Sequence, residues 1–170
     1  HLPPISKQDW VTTSSSSSKF SFFSKTATRF PVGHGFVLGM IDTQLVVWGG
    51  RQRQKYGVYP ALPLNVVHSC KLVRSLVDGK IRDEWKTMTA TGDVHPGSHD
   101  SASVVCDGSI YIFGGDKGVD DLTNVLSTLS SDGHFTRLHP TGEIPSPRSN
   151  HRGIALDGKI LFFGGFVNKE

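Results

Sequence analysis

Ser98, His99 and Asp100 are consecutive in the sequence: a nucleophile, a base and a carboxylate. Acyl transfer needs those groups to converge from separate places. Neighbours on an extended backbone point to alternating sides instead, so no catalytic residue is assigned. His95 and His99 share a spacing that would align metal ligands on a helix, but TGDVHPGSHD is a Gly/Pro-containing loop. His134 and His139 flank a short strand-like run, with no Cys or carboxylate at metal-ligand spacing. No metal or cofactor is expected, and the histidines are expected to be solvated loop residues. Asp120 and Asp121 read as exposed loop charge. No Gly-rich loop opens a helix, so nucleotide motifs are absent.

Recognition chemistry is better represented. Arg51, Arg53, Tyr56 and Tyr59 follow one glycine pair and Lys117 follows another, while His99, Arg148 and Asn150 lie in Pro-rich entry segments. Arginine, lysine and amide side chains supply hydrogen bonds, and Tyr adds apolar area with a hydroxyl. These eight are the expected ligand contacts.

A repeat positions them. LVVWGG (45–50), IYIFGG (110–115) and ILFFGG (160–165) are apolar runs that stop at two glycines, with Gly49, Gly114 and Gly164 spaced 65 and then 50 residues apart. Before the second and third runs stand Asp107-Gly108 and Asp157-Gly158, dipeptides suited to a two-residue hairpin turn. A short strand precedes each turn, and the first copy has IDTQ in the turn position. Downstream come NVVHSCKLV (65–73) and NVLSTLSS (124–131), then EWKTM (84–88) and HFTRL (134–138). Each unit therefore holds four short strands, over 31–88 and 96–138, and half a unit follows. TGDVHP (91–96) and TGEIPSP (141–147) repeat as well. The glycine pairs Gly49-Gly50, Gly114-Gly115 and Gly164-Gly165 are read as structural, because Gly permits conformations and close approaches that a side chain blocks.

In an up-and-down unit of four strands, connections 2–3 and 4–1 emerge on one face. Those are 51–64, 116–123, 89–98 and 139–150, and they vary while the strands stay regular, as recognition loops on a rigid scaffold do. Residues 1–30 are read separately. They hold a strand around Trp10 and a flexible insertion at TSSSSSKF (13–20). Residues 31–170 are the repeat region.

Composition narrows the partners. The net charge is +3, and Lys and Arg form no block of five or more, so nucleic acid is not an expected partner. No apolar run reaches the roughly 18 residues of a membrane helix, so neither is a membrane. Two cysteines make no disulfide framework, which favours a reducing compartment, cytoplasmic or nuclear. The chain opens on His1 rather than Met and stops at FVNKE, so a ring continuing beyond it is expected.

A four-stranded unit with a glycine pair resembles a kelch repeat, and kelch repeats build β-propellers. The resemblance implies an all-β, kelch-type propeller, incomplete here, with two full blades plus partial ones. It implies a protein-interaction module with a protein or peptide ligand. VWGG, the long Tyr/Pro loop and TGDVHPGSH resemble substrate receptors of cullin-based ubiquitin ligases, which implies a cullin complex as partner. GDVHPG followed by VCDG is similar to host cell factor-like nuclear scaffolds. Some kelch-like propellers are copper oxidases, but these need converging Tyr and His ligands, and an enzyme is not the expectation. An actin-binding scaffold is the remaining alternative.

Overall fold

The structure is a computed structural model that describes residues 33–52, 61–74, 76–79, 81–118 and 120–168. Every regular element among them is a strand. The first unit holds β1 (Gly33–His34), β2 (Val37–Ile41), β3 (Gln44–Trp48), β4 (Arg51–Gln52), β5 (Val66–Arg74) and β6 (Ile81–Thr89). The second holds β7 (Thr91–Gly92), β8 (Ala102–Cys106), β9 (Ser109–Phe113), β10 (Leu126–Leu129) and β11 (His134–Leu138). The third is the hairpin β12 (Arg152–Leu156) and β13 (Lys159–Phe163).

Both full units are antiparallel four-stranded blades, ordered β2-β3-β5-β6 and β8-β9-β10-β11. The turns explain the register. Asp107 and Gly108 have φ of 46° and 71°, and Asp157 and Gly158 have 49° and 69°. Two successive positive φ values make the type I′ turn, whose twist matches that of the strands. β7 adds a fifth strand to the second blade, parallel to β11. It comes from the first copy of the repeated TGD/TGE segment. Asp93 N–H donates to the Phe135 carbonyl at 3.1 Å and so stitches this linker to the blade.

The blades stack face to face. Val37, Ile41, Val46 and Trp48 of the first meet Ile110, Ile112, Leu129 and Phe135 of the second in one buried cluster. Trp48 packs edge-on to Phe135 at 5.0 Å, while its indole N–H donates to the Leu64 carbonyl at 2.8 Å. The opposite face of the second blade meets the third hairpin through Phe113 and Phe162, 5.1 Å apart. β9 is thus sandwiched between neighbours, as expected for a glycine-pair strand. β13 has a neighbour on one side only among the described residues. The stretch around Trp10 and the Ser run lie outside the described residues.

Candidate functional site

Each blade is entered through one residue with positive φ: Gly35 at 72°, Asp100 at 56° and Asn150 at 56°. Gly, Asp and Asn are the residues that tolerate this region. The Asp100 amide donates to the Gly35 carbonyl at 3.0 Å, and the Asn150 amide to the Asp100 carbonyl at 2.8 Å. A ladder of backbone bonds therefore runs from blade to blade.

The glycine pairs form a second set of joints. Gly50 N–H donates to the Ser98 carbonyl at 2.6 Å, and Gly115 N–H to the Arg148 carbonyl at 2.8 Å. A Cβ on Gly49 would lie 2.5 Å from the Ser98 oxygen, and one on Gly114 would lie 2.5 Å from the Arg148 oxygen. The first glycine leaves room for the next blade's backbone, and the second holds it.

Entry segments and 2–3 loops share one end of the molecule. Isolated bridges join His99 to Asp116 and Ser149 to Phe166, as β1 joins β4 through His34 and Arg51. Arg51 reaches the Asp116 carboxylate at 3.8 Å across the blade boundary. His99 Nε2 faces the same carboxylate at 3.5 Å and that of Asp100 at 3.8 Å. The Ser98 hydroxyl lies 2.8 Å from His99 Nδ1 and 3.0 Å from the Asp116 carbonyl. Burial and the Arg51 charge hold the His99 pKa below the ordinary value, against the pull of Asp116 and Asp100.

Other candidates are tied differently. Lys117 pairs with Asp121 at 2.8 Å within its own turn. The Arg148 guanidinium donates to the Gly164 carbonyl at 3.1 Å and the Ser146 carbonyl at 3.2 Å. Asn150 serves the backbone ladder and borders an open cleft of about 500 Å³, alongside His34, Asp100, Ser101 and Arg152. Arg53, Tyr56 and Tyr59 lie outside the described residues.

Asp116 was not singled out from the sequence. Its signal was its place, directly after Gly115 as Arg51 is directly after Gly50. The expectation of solvated histidines is corrected at His95 and His99, which are 0% and 1% exposed, and His151, in the third entry segment, is 1% exposed as well. Each lies at a seam where one blade covers another. His95 Nε2–H donates to the Gly114 carbonyl at 2.8 Å, its Nδ1 accepts from the Ser127 hydroxyl at 3.0 Å, and its ring abuts Trp48. Burial lowers its pKa to about 4, with Arg137 acting in the same direction. His151 sits edge-on to Phe113 at 5.4 Å and finds no hydrogen-bond partner for either nitrogen among the described residues. Burial and the charges of Arg148 and Arg152 lower its pKa to about 4.

The KLHDC2/KLHL20/DRC7 Kelch-repeats domain model matches residues 9–170. The chain belongs to the kelch-repeat family. Curated relatives include Tip elongation aberrant protein 1 of Schizosaccharomyces pombe, 33% identical over 51% of this chain and 8% of that protein. Rho GTPase-activating protein gacHH of Dictyostelium discoideum is 30% identical over 41% of this chain and 4% of that protein. Kelch repeat-containing protein 2 of Saccharomyces cerevisiae is 37% identical over 35% of this chain and 7% of that protein. The kelch chain thus aligns with less than a tenth of each relative's length. The solved structure of YjhT superposes with a TM-score of 0.53 over 79% of this chain and 35% of the other, at 15% identity. That likeness concerns the fold, an incomplete kelch β-propeller.

Proposed function

We propose that this kelch chain recognises a protein or peptide partner through the end that carries its entry segments and 2–3 loops. The coarse role, a protein-interaction module, follows from family membership. The observation that carries the finer reading is the Arg51–Asp116–His99 cluster, which His99 links at 3.8 Å to Asp100 on the wall of the open cleft. Arg51 is partly exposed and bound to Asp116 only at long range, which leaves guanidinium donors for a ligand. Arg53, Tyr56, Tyr59, Lys117, Arg148 and Asn150 complete the proposed contact set.

Panning a displayed random-peptide library on the intact chain tests this. Enriched peptides should lose at least about tenfold in affinity with Arg51→Glu, about 1.4 kcal/mol. They should be indifferent to Lys86→Glu on β6. Peptides insensitive to Arg51→Glu, or sensitive only to Lys86→Glu, would contradict the reading.

The resemblance of TGDVHPGSH and its flanks to ubiquitin-ligase receptors supports a narrower version, in which the bound protein is a ligase substrate in the cytoplasm or nucleus. Co-purification of a cullin with the full-length gene product is the expected outcome. Its consistent absence would leave the interaction module without that role.

A further inference from the structure

The hairpin of β5 and β6 is longer than the blade that carries it. Cys70 and Trp85 are paired as Leu129 and Phe135 are in the second blade, but fourteen residues separate them and five separate the second pair. β10 and β11 pair no further than that rung, which is also the last that β10 shares with β9, Leu129↔Ile110. In the first blade β3 leaves β5 at Gln44↔Lys71, yet three more rungs follow: Leu72↔Asp83, Val73↔Arg82 and Arg74↔Ile81. At about 3.4 Å per residue they carry a two-stranded ribbon roughly 10 Å past the edge of the sheet before it turns. A neighbouring blade of the second unit's length ends short of it. The exposure of the tip therefore belongs to the ribbon, whichever blade stands beside it.

The tip is apolar. Leu76 and Val77 are fully exposed, Val77 at 97%, and Val73 on the ribbon is exposed too. The turn itself rests on other residues: Gly79 has φ of 67°, and Arg74 Nε donates to its carbonyl at 3.2 Å. Cations stand behind the apolar pair, with Lys71 and Arg74 both exposed. Residues 71–82 hold Lys71, Arg74, Lys80 and Arg82 against Asp78. This stretch accounts for the whole net charge of +3, since fourteen cations and fourteen anions remain elsewhere. Asp83 and Glu84 come next, at the root, on the rungs opposite Leu72 and Lys71.

We propose that the β5–β6 ribbon docks the chain on an anionic lipid surface, with Leu76 and Val77 entering the headgroup layer and Lys71 and Arg74 at the level of the lipid phosphates. The order of the residues favours a bilayer over other anionic partners. A nucleic acid offers phosphates to the cations but no place for two aliphatic side chains ahead of them. An acidic protein would need a pocket to receive a convex tip. A bilayer accepts apolar side chains about 5–10 Å into its headgroup boundary, within the length of the ribbon. The expectation that a membrane is no partner rested on the lack of a spanning segment. No helix of the described residues is long and apolar enough to cross one, and a surface contact needs none. β5 starts beside the 2–3 loop at Val66 and runs away from it, so the tip lies at the opposite end from the 2–3 loops. A docked chain holds those loops toward the solution, and the proposal is independent of the recognition reading.

Co-sedimentation of the intact chain with phosphatidylcholine vesicles, with and without phosphatidylserine, tests it. Binding should require phosphatidylserine and weaken as salt rises. Leu76→Asp combined with Val77→Asp should lower affinity at least about tenfold. Its thermal melt should be unchanged, because the tip lies outside the blade. Arg74→Glu, two units of charge at roughly fivefold each, should lower affinity at least as much. Arg137→Glu, the same change at an exposed position on β11, should leave binding unchanged. A Leu76→Trp variant should shift its emission to the blue on phosphatidylserine vesicles and be quenched by brominated lipid. No binding by the parent chain, or equal binding to phosphatidylcholine alone, would overturn the proposal. So would a Leu76→Trp emission that does not move, or a loss with Arg137→Glu equal to that with Arg74→Glu. Retention on immobilised duplex DNA without vesicle binding would assign the cations to nucleic acid instead.

Discussion

His95 shows how a polar side chain becomes part of a core. It is buried between Trp48 and the second blade, and both its nitrogens are satisfied only when the ring is neutral and protonated at Nε2. Its pKa falls from 6.5 to about 4. Above pH 6.5 neither state binds a proton there. Between pH 6.5 and about 4 the unfolded chain binds one and the folded chain does not. Stability should therefore fall as pH falls through that window and level off, for this residue, below about pH 4. The shift is of order 3 kcal/mol, and His151 acts in the same direction. Urea denaturation between pH 7 and pH 4.5 should show the decline, and His95→Gln should flatten it. An unchanged slope in that variant would mean that His95 is not held neutral. In the sequence, His95 lay in a Gly/Pro-containing segment indistinguishable from solvated loop, because nothing local indicates which blade will cover it.

At the scale of elements, the strand boundaries were legible because local chemistry sets them. Asp-Gly dipeptides fix the turns, apolar runs mark β3, β9 and β13, and the observed strands fall within a few residues of the runs that announced them. The role of β7 was not legible. TGD and TGE look alike, yet the first copy pairs with β11 while the second has no outer strand beside it among the described residues. The glycine pairs were read as structural from the repeat, but the carbonyl of the next blade that Gly49 and Gly114 confront emerges only from stacking. Comparing Gly114→Ala with Gly164→Ala tests that reason. Both sites have positive φ, 66° and 75°, so each substitution carries backbone strain. Only at Gly114 does the new Cβ also meet a backbone oxygen at 2.5 Å. Gly114→Ala should cost roughly 2–4 kcal/mol and Gly164→Ala about 1 kcal/mol in urea denaturation. Equal losses would mean that the blade joint does not depend on the glycine.

The molecule as a whole is a row of similar units, each completed by the next, and the repeat made this much legible. The end that carries the entry segments and 2–3 loops was legible only in outline. Loops of unlike length were expected on one face, and the structure joins His99 to Asp116 and Arg51 to the same carboxylate there. No pairwise spacing in the sequence foretells that meeting, because Arg51 and Asp116 belong to different blades 65 residues apart. The central claim is that blades are joined by backbone bonds from a glycine pair, and from an entry residue, to the neighbouring unit. A long-range HNCO experiment reads scalar couplings across such hydrogen bonds directly. Couplings should link Gly50 N to the Ser98 carbonyl carbon, Gly115 N to that of Arg148, Asp100 N to Gly35, and Asn150 N to Asp100. Couplings from these amides to carbonyls within their own units, or to none, would contradict the account.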